Sequence, residues 1–247
     1  RTVFAQSRSH ELLRQTPFAD LPMLRLAKPS AAVDYTGRIH ARSTCAASVW
    51  LRTFMRIIAG QWRSRRLIRP GTGDTRPMPD RVKEAVFNIL GSHYACPGAL
   101  PPLRVADVFA GSGSMGLEAL SRGAASCCFF ERHREALDAL RQNLDALRVG
   151  VAAAIVTRDA WRWAVVDPDG RPFDLIFLDP PYRDSEDTSS QGAVRRYLAR
   201  LGELEDNTPL VVLHHGARVC FETEPTEPWR VMDRRTLGGN SVTLFAR

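Results

Sequence analysis

From residue 104 onward the chain alternates short apolar runs with longer segments whose apolar residues recur every three or four positions. The short runs read as strands over 104–109, 127–131, 153–157, 174–179 and 210–214. The longer segments read as helices over 114–122, 134–147, 160–166 and 191–204. Alternation of this kind joins parallel strands by helical crossovers, so an α/β sheet with helices on both faces is expected. The last apolar runs, Val219-Cys220-Phe221, Trp229-Arg230-Val231 and Ser241-Val242-Thr243-Leu244-Phe245, have no helices between them and predict an antiparallel end to that sheet.

Ahead of the alternation the pattern changes. Residues 1–54 show no sustained periodicity, contain Pro17, Pro22 and Pro29, and read as a poorly structured N-terminal extension. Residues 55–68 place strand-forming residues on either side of Gly60 and predict a β-hairpin carrying Arg56, Arg63, Arg65 and Arg66. Turn residues from Pro70 to Pro77 mark a loop containing Arg76. A helix then starts at Asp80, presents Val82, Val86, Phe87 and Leu90 on one face, and is expected to end at Gly91. The stretch from Pro97 to Pro102 leads into the alternating region. Three segments result: 1–54, the basic hairpin and helix over 55–102, and the α/β domain over 103–247.

Charge sharpens that division. Residues 1–54 carry eight Lys/Arg against three Asp/Glu, residues 55–83 eight against two, and residues 84–247 eighteen against twenty-two, within a net charge of +7. A basic region joined to a mildly acidic body is what a phosphate-backbone partner requires. The bland use of such a hairpin, a charged edge that only discourages strand pairing, fits the same residues.

No apolar stretch reaches the roughly 18 residues that would span a membrane, and the first residues do not lead into a signal-peptide core. A soluble, cytoplasmic monomer is expected. The five cysteines are odd in number and lack Cys-x-x-Cys spacing, so neither a disulfide framework nor a metal site is expected. His214-His215 reads as strand-edge structure.

Two motifs carry the chemistry. Asp107-Val-Phe109-Ala110-Gly111-Ser112-Gly113-Ser-Met-Gly116 follows a predicted strand and opens a predicted helix. Its glycines let backbone turn tightly and approach a ligand, and the helix aims N-terminal amides at it. Gly111-x-Gly113-x-x-Gly116 also satisfies the dinucleotide fingerprint, with Glu131 twenty positions beyond Gly111 where a ribose-binding acid belongs. The choice between NAD and S-adenosylmethionine turns on Asp107: an acid four residues before the first glycine resembles motif I of the class I methyltransferases, Asp/Glu-x-x-x-Gly-x-Gly. Asp159 follows the third predicted strand, where it reads either as a ligand contact or as the N-cap of the helix beginning at Ala160.

The second motif is Asp179-Pro180-Pro181-Tyr182, at the end of the apolar run Leu175-Ile-Phe-Leu178. Two prolines without N–H groups give a corner that offers acceptors and no competing donors, which suits an exocyclic amine. Tyr182 would stack on the base that carries it, and the plain alternative is a strand-ending turn with a packing tyrosine.

With both motifs in place, residues from Met55 to Arg247 resemble the bacterial 16S rRNA guanine-N2 methyltransferase (RsmD) family of class I enzymes. The matching stretches are Arg56-Ile-Ile-Ala-Gly-Gln-Trp-Arg63, Thr75-Arg76-Pro77, Asp80-Arg-Val-Lys-Glu-Ala-Val-Phe-Asn88, Phe109 to Gly123, and Asp179-Pro-Pro-Tyr182. The resemblance implies a Rossmann-like, seven-stranded, mostly parallel sheet preceded by the hairpin and helix. It implies S-adenosylmethionine held by Asp107, Phe109, Ala110, Gly111, Ser112, Gly113, Glu131, Arg132, Asp159 and Ala160, with no metal. Chemistry would fall to Asp179, Pro180, Pro181 and Tyr182, and 16S rRNA, in a small-subunit assembly intermediate, to Arg56, Arg63, Arg65, Arg66 and Arg76. Met78-Pro79 departs from the hydroxyl residues common there in the family. Residues 1–54 have no counterpart, and are either a true extension or upstream sequence read through a wrongly chosen start.

Other classes remain open from residues alone. A DNA adenine-N6 or cytosine-N4 methyltransferase would use a similar corner and loop but normally adds a target-recognition domain. A glutamine-directed protein methyltransferase resembles Asn-Pro-Pro-Tyr at this position. A non-catalytic RNA-binding assembly factor or an NAD-dependent oxidoreductase would not bind S-adenosylmethionine.

Overall fold

Apolar residues at consecutive positions along the central strands leave no polar face, so both sides of the sheet must be covered. A computed structural model describes residues 55–71, 78–204, 209–222 and 228–247. The 1–54 extension and the 72–77 loop, with Arg76, lie outside the described residues. Strands β1 (Met55–Arg56) and β2 (Arg66–Leu67) form a short antiparallel hairpin, and α1 (Asp80–His93) follows. Then come β3 (Arg104–Val108), α2 (Ser114–Ser121), β4 (Ser126–Phe130), α3 (Arg134–Leu147), β5 (Ala153–Val156), α4 (Ala160–Trp163) and β6 (Leu175–Leu178). The chain continues through α5 (Tyr182–Glu186), α6 (Ala193–Gly202), β7 (Leu210–Gly216), β8 (Arg230–Leu237) and β9 (Asn240–Ala246).

Seven strands lie in the order β5-β4-β3-β6-β7-β9-β8. The first five run parallel and the last two are antiparallel to their neighbours, as the alternation predicts. Side-chain alternation sends Val105, Phe129, Phe177 and Val212 into one core with the hairpin, α1, α2 and α3. It sends Val108, Phe130, Ile176 and Leu213 into the other, under α4 and α6. From β3 the chain proceeds outward to one side, then returns to place β6 on the other. The order therefore reverses beside β3, where open α/β sheets hold ligands beyond their carboxyl ends.

Three expectations need correction. Helix α1 does not stop at Gly91 but runs to His93. Gly91 is there for close approach, because a Cβ on it would stand 3.2 Å from the Cys96 carbonyl oxygen and 3.3 Å from the Gly98 nitrogen. Residues 219–221 are not a strand: Phe221 is fully buried as a core anchor, its ring edge-on to His215 and Phe245. Helix α4 ends at Trp163 rather than 166, and Val166 instead makes a bridge with Pro172. Helix α5 was not expected, since consecutive prolines look like a break. Pro181 sits just ahead of its first turn with φ −50°, a conformation proline already holds.

Candidate active site

A cleft of about 690 Å³ opens at the carboxyl ends of β3, β4, β6 and β7. Its wall includes Asp107, Phe109, Ala110, Gly111, Ser112, Glu131, Arg132, Asp159 and Ala160 from the glycine-loop side. Asp179, Pro180, Pro181 and Tyr182 complete it from the proline corner. Of the residues expected to hold a cofactor, Gly113 alone is off the wall. It lies beneath the loop at φ +82°, where a Cβ would stand 2.5 Å from Leu140 Cδ1. Gly111, at φ +58°, has open space where its Cβ would be. Gly116 packs α2 onto β4, with Cys127 Sγ and Phe129 Cε1 both 2.5 Å from its would-be Cβ. One glycine thus faces a ligand and two permit packing.

The loop's amides decide which nucleotide cofactor fits. In a dinucleotide fold they point at a pyrophosphate. Here the Gly111 N–H donates to Glu131 Oε2 at 2.9 Å, the Gly113 N–H to the Ala110 carbonyl at 2.7 Å, and the Gly116 N–H to Asp107 Oδ2 at 2.8 Å. All three are spent on the protein, two on carboxylates. Asp107 is 2% exposed, and burial pushes its pKa up to about 8 despite the Gly116 hydrogen bond, with the charges of Asp179 and Glu131 adding to the rise. Glu131 and Asp179 facing one cleft disfavour a pyrophosphate and favour a cation, and a bound cation would draw Asp107 toward its charged form. S-adenosylmethionine, with its sulfonium and ammonium groups, matches that field.

Glu131 does more than the sequence implies. Its Oε1 also accepts the N–H groups of Arg132 (2.7 Å) and His133 (2.8 Å), so one carboxylate organises both the glycine loop and the β4–α3 turn. Asp159 does not cap α4 with its side chain; it lies 3.9 Å from Arg132 Nη1 at the cleft mouth. Phe109 holds a left-handed φ of +65°, uncommon for a bulky residue, and its ring meets Trp161 edge-on at 4.9 Å. Trp161, also on the wall, went unremarked in the sequence.

The proline corner contains a residue that sequence reasoning placed in strand structure without assigning it to the site. β6 and β7 pair in parallel with Leu178 opposite Leu213, so the next residues, Asp179 and His214, are neighbours. His214 Nδ1 lies 2.7 Å from Asp179 Oδ1, and its Nε2 lies 3.0 Å from Asn240 Oδ1. The Tyr182 hydroxyl donates to the same Asn240 oxygen at 2.9 Å, and the Tyr182 ring stands edge-on to the imidazole. His214 is therefore a wall residue of the cleft. His215, pointing the other way, is the structural histidine: it bonds Thr243 and Gly216, and burial lowers its pKa to about 4. The missed signal was positional, since the residue of β7 one place beyond the partner of Leu178 must lie beside Asp179.

The family model described as conserved hypothetical protein 95 matches residues 55–246. The chain belongs to this family. Ribosomal RNA small subunit methyltransferase D of Escherichia coli K12 is 40% identical over 200 residues, spanning 78% of this chain and 90% of that protein. The protein of the same name in Haemophilus influenzae Rd is 40% identical over 198 residues, spanning 77% and 93%. Among solved structures, yhhF of Escherichia coli superposes with a TM-score of 0.62 at 30% identity, covering 78% of this chain and 97% of that one. Sheet order, glycine loop and family together make residues 55–246 a class I methyltransferase.

The family match includes the hairpin, which is fastened to the methyltransferase body. The Gln61 N–H donates to the Ser121 carbonyl (2.8 Å), the Trp62 N–H to Ser121 Oγ (3.0 Å), and Ser121 Oγ to the Ala59 carbonyl (2.6 Å). Asn143 of α3 holds both Ile68 and the Ser112 carbonyl, linking hairpin to cofactor loop. Arg56, Arg63, Arg65 and Arg66 are exposed. None of these four lines the cleft, but Arg69, just past β2, does. Arg56 pairs with Asp80 at 3.1 Å, and Arg65 reaches the Ala146 carbonyl at 3.1 Å. Among the described residues no cluster of side chains could hold a metal ion, and no helix is long and apolar enough to cross a membrane.

Proposed function

We propose that the chain methylates the exocyclic N2 amine of a guanine in 16S ribosomal RNA, on a small-subunit assembly intermediate. The observation that carries this reading is the Asp179 carboxylate at the proline corner, facing the same cleft as the cofactor loop. S-adenosylmethionine, when bound, supplies an electrophilic methyl group. Asp107 and the loop from Phe109 to Ser112 would hold its amino-acid end, with Gly113 packed beneath, Glu131 with Arg132 its ribose, and Asp159 and Ala160 its adenine.

A guanine amine is a poor nucleophile because its lone pair is delocalised into the ring. Asp179 and the Pro180 carbonyl accept its two hydrogens, so the nitrogen pyramidalises and its lone pair turns toward the methyl. Orientation and a carboxylate beside developing positive charge supply the rate. No strong base is needed first, because the amine becomes acidic only once methylated, and Asp179 or water then takes the proton. The base must leave its stack, at a cost of about a few kcal/mol. Tyr182 and the proline corner receive it.

Incubating the protein with labelled S-adenosylmethionine and either 16S rRNA, free and in small-subunit assembly particles, or DNA, then mapping the label, tests the reading. Label in N2-methylguanosine is the expected result. Label on adenine N6 or cytosine N4 in DNA, or in neither nucleic acid, overturns it.

The hairpin arginines grip the RNA backbone without reading bases. The double change Arg65→Glu and Arg66→Glu is expected to weaken RNA binding while leaving S-adenosylmethionine affinity within about twofold. The slope of log affinity against log salt should shrink by about 0.7–0.9 for each phosphate that is no longer neutralised. Filter binding across a salt series measures it, and an unchanged slope removes these residues from the interface.

A further inference from the structure

We infer that His214 is a positioning residue for methyl transfer: held as an imidazolium between Asp179 and Asn240, it fixes one carboxylate oxygen of Asp179 and so aims the other at the substrate amine. The inference rests on the reading of the proline corner as the amine site. It starts from donor and acceptor geometry. Both ring nitrogens face oxygens, Nδ1 on Asp179 Oδ1 at 2.7 Å and Nε2 on Asn240 Oδ1 at 3.0 Å. The Asn240 amide presents its oxygen to both groups, and the same oxygen accepts the Tyr182 hydroxyl. A ring between two acceptor oxygens satisfies both only when both nitrogens carry hydrogen.

The surroundings agree. Asp179, at the end of β6, is the charged group in direct contact with the imidazole. β9 presents Asn240, which is uncharged. α5 presents Tyr182, while its Arg183 and Asp184 pair with each other. On β7 itself His215 is held neutral, its pKa lowered mainly by burial. Burial works to lower the His214 pKa too, but the charge and hydrogen bond of Asp179 and the bond to Asn240 outweigh it, leaving the value above that of an ordinary histidine.

The consequence is a clamp. Asp179 is about one-third exposed, and His214 binds its Oδ1 at 2.7 Å. With Oδ1 tied to a buried ring, Oδ2 is left for the amine. Above the His214 pKa the ring retains one hydrogen for two acceptors, one bond breaks, and whichever bond remains, the hold on Asp179 loses the charge of the imidazolium.

Three variants test this, each checked for unchanged S-adenosylmethionine affinity by calorimetry. His214→Ala is expected to lower kcat ten- to hundredfold with KM for RNA nearly unchanged. His214→Asn puts an uncharged amide near the Nδ1 position; it should retain kcat within about tenfold and lose the fall in kcat that the parent shows as pH rises through the His214 pKa. In ¹⁵N NMR of the free protein, the His214 ring should titrate above free histidine, and Asp179→Asn should bring that midpoint down. Parental kcat in His214→Ala, the same alkaline fall in His214→Asn, or a ring that titrates at or below free histidine overturns the inference. Full activity in Asp179→Ala instead defeats the reading of the corner. An inactive Asp179→Ala beside a fully active His214→Ala defeats only the role of His214.

Discussion

Asp179→Ala is expected to lower kcat by at least about a hundred- to thousandfold, the loss typical when a preorganised partner of a developing charge is removed. S-adenosylmethionine affinity should stay within about threefold. The separation follows from position. Asp179 lies at the end of β6, whereas the carboxylates that organise the cofactor loop are Asp107 at β3 and Glu131 after β4. Removing Asp179 leaves both of those loop hydrogen bonds in place. It also takes away a negative charge that helps raise the Asp107 pKa, so Asp107 should bind its proton less tightly in the variant. A single-turnover assay with rRNA, set beside cofactor calorimetry, measures both quantities. Near-parental turnover would remove Asp179 from the chemistry, and a parallel collapse of cofactor affinity would make it a structural member of the loop instead.

The parts of this molecule written in local pattern were readable from sequence. Alternating apolar runs placed β3 to β7 within a residue or two, because strands buried on both faces admit little else. The glycine loop and proline corner were legible because glycine and proline each act on backbone they occupy. What the sequence hid depends on partners far along the chain. His214 acquires its place only from the β6–β7 register, and Asn240 only from the antiparallel return of β9. Gly91 looked like a helix stop, yet its missing Cβ makes room for the turn at Cys96–Gly98. Phe221 looked like a strand residue because core anchors and strand residues share the same hydrophobicity. Lys83 and Glu118 belong to apolar-patterned helices and gave no hint that both are buried.

That buried pair carries the other large effect: Glu118→Ala is expected to destabilise the fold by about 3–5 kcal/mol, the usual cost of stranding buried charges. Glu118 is fully buried on α2. Its Oε1 takes the Arg122 Nε at 2.8 Å and the Ala59 N–H at 2.9 Å, and its Oε2 takes the Ile58 N–H at 2.7 Å. Lys83 of α1 lies 3.7 Å from Oε2 and uses its ammonium to hold the Arg56 carbonyl at 2.7 Å and Ser114 Oγ at 3.0 Å. Burial lowers the Lys83 pKa against the opposing pull of Glu118 and Asp80, so losing Glu118 should favour the neutral amine. Arginine has no such escape, and Arg122 would be left in the core with its Gly98 carbonyl contact and its stacking on Phe87. Two hairpin amides would lose their acceptor at the same time. At about 2–4 °C per kcal/mol for a domain of this size, Tm should fall on the order of 10 °C. Glu118→Gln, which keeps one acceptor oxygen and the shape, should fall less. Because the same carboxylate holds Ile58 and Ala59, RNA affinity should drop in Glu118→Ala even below its melting temperature. A variant melting within about 2 °C of the parent would mean that the Ser121 and Asn143 bonds and the apolar contacts hold the hairpin without Glu118.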